Sequence, residues 1–283
     1  MKLSIIFVNW KTPELTKNAI ASVYKETAGF DFEVIVVDNN SGDGSVEMIK
    51  KEFPQVTLIA NNDNRGFGKA NNQGLKIAKG DYLMFLNTDV IVLDGALNKL
   101  VSYLDQRQDV MMVGPRLLNK DLTFQHSCRR VLPNPINSFF HLFGLTKIFK
   151  NNKHVNEYKQ YASDPEITGP TQALSGAAMM FRKQVYTEIG GFDEEFFMYG
   201  EDLDFSKRVF DKGWKTVYVS GAKIIHFGGQ SSGKRRIKSL INFYDAMWIY
   251  YKKHFKYNIL VNLAVWLGIQ FRMAVALSMN IFK

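Results

Sequence analysis

Short apolar runs rich in β-branched residues alternate with segments of helical periodicity through the first part of the chain. Runs of this kind, bounded by turn residues, favour strands. The pattern predicts strands at residues 2–9, 32–37, 56–59 and 82–86, and helices at 12–25, 46–53 and from about 68 to 78. Four strand and helix alternations in about 100 residues predict a mostly parallel central sheet with helices on both faces.

Polar residues lie where these predicted strands end. Asn9 and Asp38 end the first two, the loop 61–68 follows the third, and Asp89 lies just beyond the fourth. Ligands of such sheets bind outside the carboxyl ends of the strands. We therefore expect these residues to share one rim of the sheet.

The second half of the chain has a less regular pattern. Pro133 and Pro135 mark an irregular connection, and residues 150–170 have the composition of a polar loop. Beyond them the pattern predicts a strand at 174–181, a turn at 190–194, a helix opening at the acidic cluster 200–204, and apolar strand segments at 217–219 and 223–226.

An amphipathic helix is predicted from Ile237, because apolar residues recur at spacings of three and four while Lys238, Asp245 and Lys252 form a separate stripe. Residues 259–282 are largely apolar, and as a helix they would extend about 36 Å, nominally enough to span a bilayer. A charge at Arg272 is costly inside a membrane, which favours an interfacial or hairpin arrangement. The alternative is that this segment packs only on the rest of the chain or on a second subunit of a homo-oligomer.

The charge of the chain is concentrated in the same tail. The formal net charge is +9, yet residues 231–283 alone contain nine basic residues against one acidic residue. The rest of the chain is almost neutral, and a basic, aromatic and apolar tail fits an anionic membrane surface better than it fits nucleic acid. The single cysteine, Cys128, excludes an internal disulfide, and no secretion-signal pattern opens the chain, so we expect the protein in the cytosol.

A first group of candidate residues would bind a nucleotide. As an ionised carboxylate, Asp38 can accept hydrogen bonds from a ribose or a base, although an Asx turn or a helix cap is an alternative role. The stretch 61–72 offers glycines for close backbone approach and a cation at a helix start, both suited to a diphosphate. It lacks the G-x-G-x-x-G spacing, which disfavours a dehydrogenase.

A second group would hold a divalent cation. Asp89 closes the segment Asn87-Thr88-Asp89 after an apolar strand, and a hard cation such as Mg²⁺ or Mn²⁺ takes oxygen ligands. Substrate phosphates and water often complete such a shell, so one or two protein ligands suffice. His226 ends another apolar strand and is a candidate second ligand, although a histidine at a strand end is commonly structural.

The densest acidic cluster, residues 200–204, contains Glu201 and Asp202 at the start of a predicted helix. Acidic residues in a first turn complement the helix dipole and cap free N–H groups, which would account for the cluster. Alternatively, one carboxylate acts as a general base on an acceptor hydroxyl. Small residues around Gly176, at the start of the predicted strand 174–181, would let a sugar lie against the backbone or would simply belong to the core.

Taken in order, these segments resemble the family 2 glycosyltransferases of the GT-A fold, and bacterial rhamnosyltransferase-like members in particular. The resemblance covers roughly residues 1–232. Each motif is weak alone, whereas six in order are specific. They are Val8-Asn9-Trp10 and the segments 37–41, 64–68, 87–89, 190–204 and 226–231.

The resemblance implies a role for each matching position. Asp38 matches the nucleoside-contacting aspartate, and Asp89 matches the metal-bound last residue of a DXD-type motif whose first aspartate is Asn87 here. Asp202 matches the catalytic base, with Glu201 beside it, and His226 matches the second metal ligand. The implied donor site comprises Asn9, Asp38, Asn64, Arg65, Gly68, Asn71, Asn87 and Gly176.

The resemblance also implies an organisation and a reaction. A GT-A (Rossmann-like) domain at residues 1–230, with a nucleotide-sugar half to about 115 and an acceptor half beyond it, precedes a helical extension at 231–283. The implied reaction is an inverting transfer of a sugar from a nucleotide-sugar donor to an acceptor hydroxyl. The basic and apolar tail, in turn, suggests a lipid-linked or growing cell-surface saccharide as the acceptor, at the cytoplasmic face of the membrane. The favoured donor is dTDP-L-rhamnose, followed by UDP-hexoses or a galactofuranose donor.

Two other classes of protein would also use an α/β sheet of this kind. A nucleotidyltransferase would prefer a glycine-rich, lysine-bearing loop near the N-terminus, which residues 6–10 do not supply. A non-catalytic, membrane-attached scaffold that binds sugar nucleotides is the remaining alternative.

Overall fold

The computed structural model describes residues 1–134, 164–229, 236–255 and 257–281. Several predictions fall outside these residues: the position of Pro135, most of the polar loop 150–170, the last part of the motif 226–231, and the basic residues 234, 235, 256 and 283.

The strands and helices predicted for the first half are present within about two residues of their expected bounds. The strands of the described chain are β1 Leu3–Asn9, β2 Phe32–Asp38, β3 Thr57–Ala60, β4 Tyr82–Leu86, β5 Val90–Val92, β6 Val110–Leu118, β7 Arg129–Arg130, β8 Gly169–Pro170, β9 Ala173–Leu174, β10 Ala178–Arg182 and β11 Lys215–His226. The helices are α1 Pro13–Glu26, α2 Ser45–Glu52, α3 Phe67–Ile77, α4 Ala96–Gln106, α5 Lys183–Ile189, α6 Glu201–Asp211, α7 Arg236–His254 and α8 Ile259–Ile281.

A central sheet forms the body of the molecule, with the strand order β3-β2-β1-β4-β10-β6-β11-β5. The neighbours β3, β2, β1 and β4 are parallel, as predicted, and so are β6 and β11. Strand β10 is antiparallel to both β4 and β6, and β5 is antiparallel to β11. Since β10 lies between β4 and β6, the predicted nucleotide and acceptor halves share one sheet.

Helices cover both faces of this sheet, and the alternation of side chains in β1 shows why. Ile5 and Phe7 point into the core beneath α1 and α4, whereas Ile6 points into the core beneath α3 and α6. A strand that is buried on both faces is apolar at consecutive positions, which is the pattern of the first segment of the sequence. The predicted fold class, a central sheet flanked by helices with a C-terminal helical extension, is confirmed.

The prediction of one continuous strand over residues 174–181 is wrong. Ala173–Leu174 pairs with Arg129–Arg130 in a separate two-stranded sheet, and the central-sheet strand begins only at Ala178. Between them the chain turns, with the Ala178 amide donating to the Ser175 carbonyl. The small residues that suggested a strand start allow this turn, and the Gly176 amide within it donates to the side chain of Asp202.

Candidate active site

Strand directions bring the predicted site residues to one edge of the sheet. Strands β1, β2, β4, β6 and β11 all run towards this edge, so Asn87 and His226 reach it from strand ends. The turn before β10 lies beside the end of β4, because Ala178 pairs with Leu86. Val90 pairs with His226, which places Asp89 next to that histidine.

A cleft of about 380 Å³ opens along this edge. It is lined by Val8, Trp10, Asn39, Asn64, Gly66, Phe67, Asn87–Asp89, Ser175–Ala177, Phe197–Tyr199, Glu201, Asp202, His226, Gly229, Lys238, Ser239 and Asn242. Seven of the predicted site residues therefore lie together, and α7 contributes three side chains that the predicted site did not include.

Asp89 and His226 form the candidate cation site. Oδ1 of Asp89 lies 3.3 Å from Nε2 of His226. Nδ1 of His226 lies 2.8 Å from Oε1 of Gln125, an atom that only accepts, so the hydrogen-bond network assigns the proton to Nδ1. With the proton on Nδ1, Nε2 is the ring nitrogen that faces Asp89, which is the orientation that a metal-bound histidine needs.

The surroundings of this pair fit a divalent cation in part. The buried Oδ1 of Asn87 has no hydrogen-bond partner among the described residues, and the other amide atom of Asn87, Nδ2, lies 3.5 Å from Nε2 of His226. A cation with oxygen ligands would satisfy such an orphaned acceptor. Within the described ranges no cluster of three His, Cys, Asp or Glu side chains is suited to a metal, so phosphate oxygens and water would supply the remaining ligands.

The acidic pair enters the cleft at the start of α6. Tyr199 and Gly200 have φ angles of 70° and 79°, and these consecutive left-handed residues turn the chain sharply into the helix. A side chain at Gly200 would press on the Phe196 ring and on Ala246 of α7. The turn therefore requires glycine both for its left-handed backbone and for the lack of space around it. The turn places the first two residues of α6 against the cleft.

Asp202 is held in a fixed orientation. Its Oδ2 accepts a hydrogen bond of 3.0 Å from the amide of Gly176 and forms an ion pair with Arg130, while Oδ1 accepts one of 2.8 Å from the amide of Leu203. Arg130 also donates to the carbonyl of Leu174, which ties the base candidate to the two-stranded sheet. The turn Ser175–Ala177 thus positions Asp202, a role that the sequence did not indicate.

Glu201 differs from its neighbour in environment. It is 6% exposed, and its Oε2 has no hydrogen-bond partner in the part of the chain described. Burial, and then the negative charge of Asp202, raise the pKa of Glu201 to about 8. Glu201 is therefore mostly protonated at neutral pH, whereas Asp202 faces a guanidinium group.

Asn9 and Asp38 lie behind the cleft and do not line it. Asp38 is buried, and its Oδ1 accepts hydrogen bonds of 2.6 Å from Nδ2 of Asn9 and from the hydroxyl of Ser41, while Oδ2 accepts the Ser41 amide at 3.0 Å. This network holds the turn that presents Asn39. The side chain of Asn39 lines the cleft and donates to the Gly66 carbonyl at 3.0 Å.

The predicted diphosphate loop contributes Asn64 to the cleft, and Asn64 accepts the Gly66 amide at 3.0 Å. Arg65 instead turns outward to Asp63, at 2.9 Å. Asn71 is buried and donates to the carbonyl of Phe67, and Gly68 packs closely against the segment 192–196. The proposed roles of these four residues in donor binding remain predictions.

Comparison with known proteins agrees with this geometry. The model of the family described as glycosyl transferase family 2 matches residues 4–190, and that of glycosyl transferase family group 2 matches residues 137–282. The N-acetylglucosaminyl-diphospho-decaprenol L-rhamnosyltransferase of Mycobacterium tuberculosis is 27% identical over 228 residues, which are 77% of this chain and 73% of the relative. The low-salt glycan biosynthesis hexosyltransferase Agl10 of Haloferax volcanii is 26% identical over 211 residues, 73% of this chain and 61% of the relative.

Solved structures resemble the whole architecture. S. aureus TarS 1–349 superposes with a TM-score of 0.58 at 16% sequence identity, covering 96% of this chain and 71% of that one. The same protein in complex with UDP gives a TM-score of 0.57 at 14% identity, covering 95% of this chain and 71% of that one. This likeness concerns the fold, and it agrees with the predicted GT-A class.

Proposed function

This chain belongs to glycosyl transferase family 2, and on that basis we propose that it is an inverting hexosyltransferase acting on a lipid-linked or growing cell-surface saccharide. The observation that carries the proposal is the shared cleft. It joins an oriented carboxylate, Asp202, to a candidate cation site at Asp89 and His226. A base for the acceptor and a counter-charge for a diphosphate are the two requirements of this reaction.

The reaction that we propose is a single displacement. Asp202 takes the proton of the acceptor hydroxyl, and the hydroxyl oxygen attacks the anomeric carbon from the face opposite the nucleoside diphosphate. The bond to the diphosphate breaks, its electrons leave with the nucleotide, and the configuration inverts. Because Glu201 is mostly neutral at pH 7, it adds little negative charge beside the departing diphosphate.

A divalent cation, Mg²⁺ or Mn²⁺, fits the residues at the edge of β4 and β11. Asp89 and His226 would hold it, with Gln125 orienting the histidine. When bound, such a cation neutralises charge that develops on the diphosphate. Because the protein would supply only two ligands, tight binding of the cation would depend on the phosphates of the donor.

The donor that we favour is dTDP-L-rhamnose. The support is the M. tuberculosis relative, whose name states an L-rhamnosyl transfer. UDP-hexoses and galactofuranose donors are the alternatives, and the UDP complex of TarS supports a uridine nucleotide on the same fold. The named acceptor of that relative, a diphospho-decaprenol saccharide, supports a lipid-linked acceptor here.

We propose that residues 1–230 form the catalytic domain and that the extension 231–283 attaches it to the cytoplasmic face of an anionic membrane. Among the described helices, one is long and apolar enough to cross a membrane by length and composition, Ile259–Met279. Only 6% of that stretch is buried against the protein. Exposed side chains include Leu260, Leu263, Leu267 and Phe271. Such a surface supports membrane contact, and Arg272 within it favours a shallow position.

The test is a transfer assay with purified full-length protein, Mg²⁺ and a lipid-linked saccharide, using a panel of labelled nucleotide sugars. We expect one donor, dTDP-L-rhamnose first, to give product, and NMR of that product to show the anomeric configuration opposite to the donor's. Retained configuration would overturn the single displacement. Nucleotide binding without transfer from any donor would favour the scaffold alternative.

A further inference from the structure

Helix α7 is more than a connection to the apolar tail, because it forms part of the cleft wall. Its residues Lys238, Ser239 and Asn242 line the cleft that contains Asp202. The ammonium of Lys238 lies 5.5 Å from the centre of the Phe197 ring. The rings of Tyr199 and Phe243 are 6.1 Å apart. Since residues 197–199 lead directly into α6, α7 lies on the side of the cleft that holds the base candidate.

A buried ionic cluster fixes the other end of α7 to α6. Asp204 is fully buried, and its carboxylate meets Nε of Arg208, Nζ of Lys253 and Nε2 of His254, each at 2.8 Å. Although burial acts to raise the pKa of Asp204, the hydrogen bond from His254 and the charges of Arg208 and Lys253 lower it to about 2. Two of these three partners come from α7, so the helix is held in register with the acidic pair.

Three kinds of chemistry are found on the cleft wall and the adjoining surface of α7. Asp202 supplies a carboxylate that can accept a hydrogen bond from a hydroxyl. Lys238 supplies a positive charge, and no carboxylate of the described chain forms an ion pair with it. Ile237 and Ile241, at 52% and 36% exposure, lie one and three positions from Lys238 and place apolar surface beside that charge, and Phe243, at 45% exposure, adds apolar surface on the same helix. These groups match a sugar, an anionic linker and a hydrocarbon chain.

We propose that the first turns of α7 bind the phosphate and the adjoining hydrocarbon of a lipid-linked acceptor. Lys238 contacts phosphate oxygens, and Ile237, Ile241 and Phe243 contact the hydrocarbon. The inference rests on the proposed transferase function and assigns the part of the acceptor that the catalytic residues do not touch. A lysine is a suitable phosphate contact because its ammonium acts as a point charge that needs no fixed geometry.

The test compares three acceptors that carry the same saccharide, in neutral detergent and at saturating donor. One has a diphosphate and a long lipid, one has a diphosphate and a short alkyl group, and one has an alkyl group without phosphate. We expect Lys238→Gln to raise KM about tenfold for both diphosphates with kcat nearly unchanged, and to leave the phosphate-free acceptor unaffected. Lys238→Arg should restore most of the affinity, and Ile241→Ser should raise KM for the long-lipid acceptor alone.

The matched control is Lys99→Gln, which removes another exposed helical lysine far from the cleft. Equal effects of Lys238→Gln on all three acceptors, or no effect on any, would overturn the proposal. An effect that arises only after anionic lipid is added would assign Lys238 to membrane headgroups and would overturn it as well. Failure of the wild-type protein to transfer to any acceptor would instead count against the proposed function.

Discussion

Two adjacent carboxyl groups in one cleft occupy different electrostatic environments. Asp202 is oriented by two backbone amides and faces Arg130, whereas Glu201 is buried without a cation of its own. Environments that separate neighbouring carboxyl groups in this way allow one to act as a base while the other stays neutral. This difference supports our proposal that Asp202, and not Glu201, takes the proton of the acceptor hydroxyl.

Replacement of Asp202 by Asn should abolish transfer with little change in donor binding. The amide cannot take the hydroxyl proton, and general-base catalysis typically contributes at least about 100-fold. We expect kcat to fall by roughly that factor or more, with nucleotide affinity by calorimetry within about threefold. Asp211→Asn, at the exposed end of the same helix, is the control. Full activity of purified Asp202→Asn protein would remove the base assignment.

Glu201 should make stability dependent on pH in a defined direction. Its pKa rises from 4.5 to about 8 on folding, so its contribution to stability is complete below about pH 4.5 and is lost as the pH rises through about 8. In Glu201→Gln we expect this loss of stability with rising pH to be absent. Over pH 5 to 9 the rise in pKa corresponds to about 4–5 kcal/mol, so the melting temperatures of the two proteins should diverge by roughly 10 °C or more across that range. Parallel curves would show that Glu201 ionises normally.

Asp89 and Gln125 should affect cation-dependent donor binding to different degrees. Loss of the carboxylate in Asp89→Ala should remove the Mg²⁺ dependence of nucleotide-diphosphate binding. Gln125→Ala leaves both ligands in place but frees the His226 ring, and the loss of such an orienting partner typically weakens metal binding about 10- to 100-fold. Titration calorimetry with and without Mg²⁺ measures both. Unchanged Mg²⁺ dependence in Asp89→Ala would place the cation elsewhere.

At the scale of elements, the contact between α6 and α7 joins the helix that carries the base candidate to the C-terminal extension. Beside the Asp204 cluster, Phe196, Ala246 and Tyr250 form a small apolar core of their own. A boundary at residue 230 therefore divides the sequence but not the cleft, since α7 supplies part of its wall.

Asp204→Asn should destabilise the protein strongly. It removes a buried charge that is paired with Arg208 and Lys253 and contacted by His254, and breaking such a pair costs about 3–5 kcal/mol. We expect the melting temperature to fall by roughly 10 °C. Asp211→Asn breaks only an exposed pair with Lys207 on the same helix and should shift it by about 1 °C. Equal shifts in the two variants would show that the cluster does not hold the helices together.

The same elements show how far the sequence predicts the site. Asn87, Asp89 and His226 were predictable because apolar strands end beside them, and parallel strands end at one edge. Gln125 and Arg130 follow no such strand end. Gln125 contacts His226 from the loop after β6, and Arg130 contacts Asp202 from β7, which pairs with β9. Lys238 was visible only as part of a charged stripe with Asp245 and Lys252. Its place in the cleft depends on helix packing that periodicity does not encode.

At the scale of the whole molecule, the polar cleft and the exposed apolar surface adjoin at α7, which lines the cleft and also carries the exposed residues Ile237 and Ile241. The cleft lies at the edge of the central sheet, and the exposed apolar side chains of the described chain are concentrated in α7 and α8. α8 is tied to α7 by a hydrogen bond of 2.9 Å from the hydroxyl of Tyr251 to Asn262. Membrane contact through α8 would thus constrain α7 and, through it, the wall of the cleft.

Charges placed on the exposed side of α8 should abolish vesicle binding without unfolding the protein. Leu263 and Leu267 are about half exposed, so replacement of both by Glu removes apolar contact and adds repulsion from anionic lipid at little structural cost. We expect the full-length protein to float with vesicles containing anionic lipid and the variant to remain unbound. Glu at Ile77 and Ile167, exposed positions of the catalytic body, is the matched control. Release of the wild-type protein from vesicles by 1 M salt would indicate attachment to the membrane surface, whereas retention would indicate insertion. If the wild-type protein does not float at all, α8 is excluded as the membrane attachment.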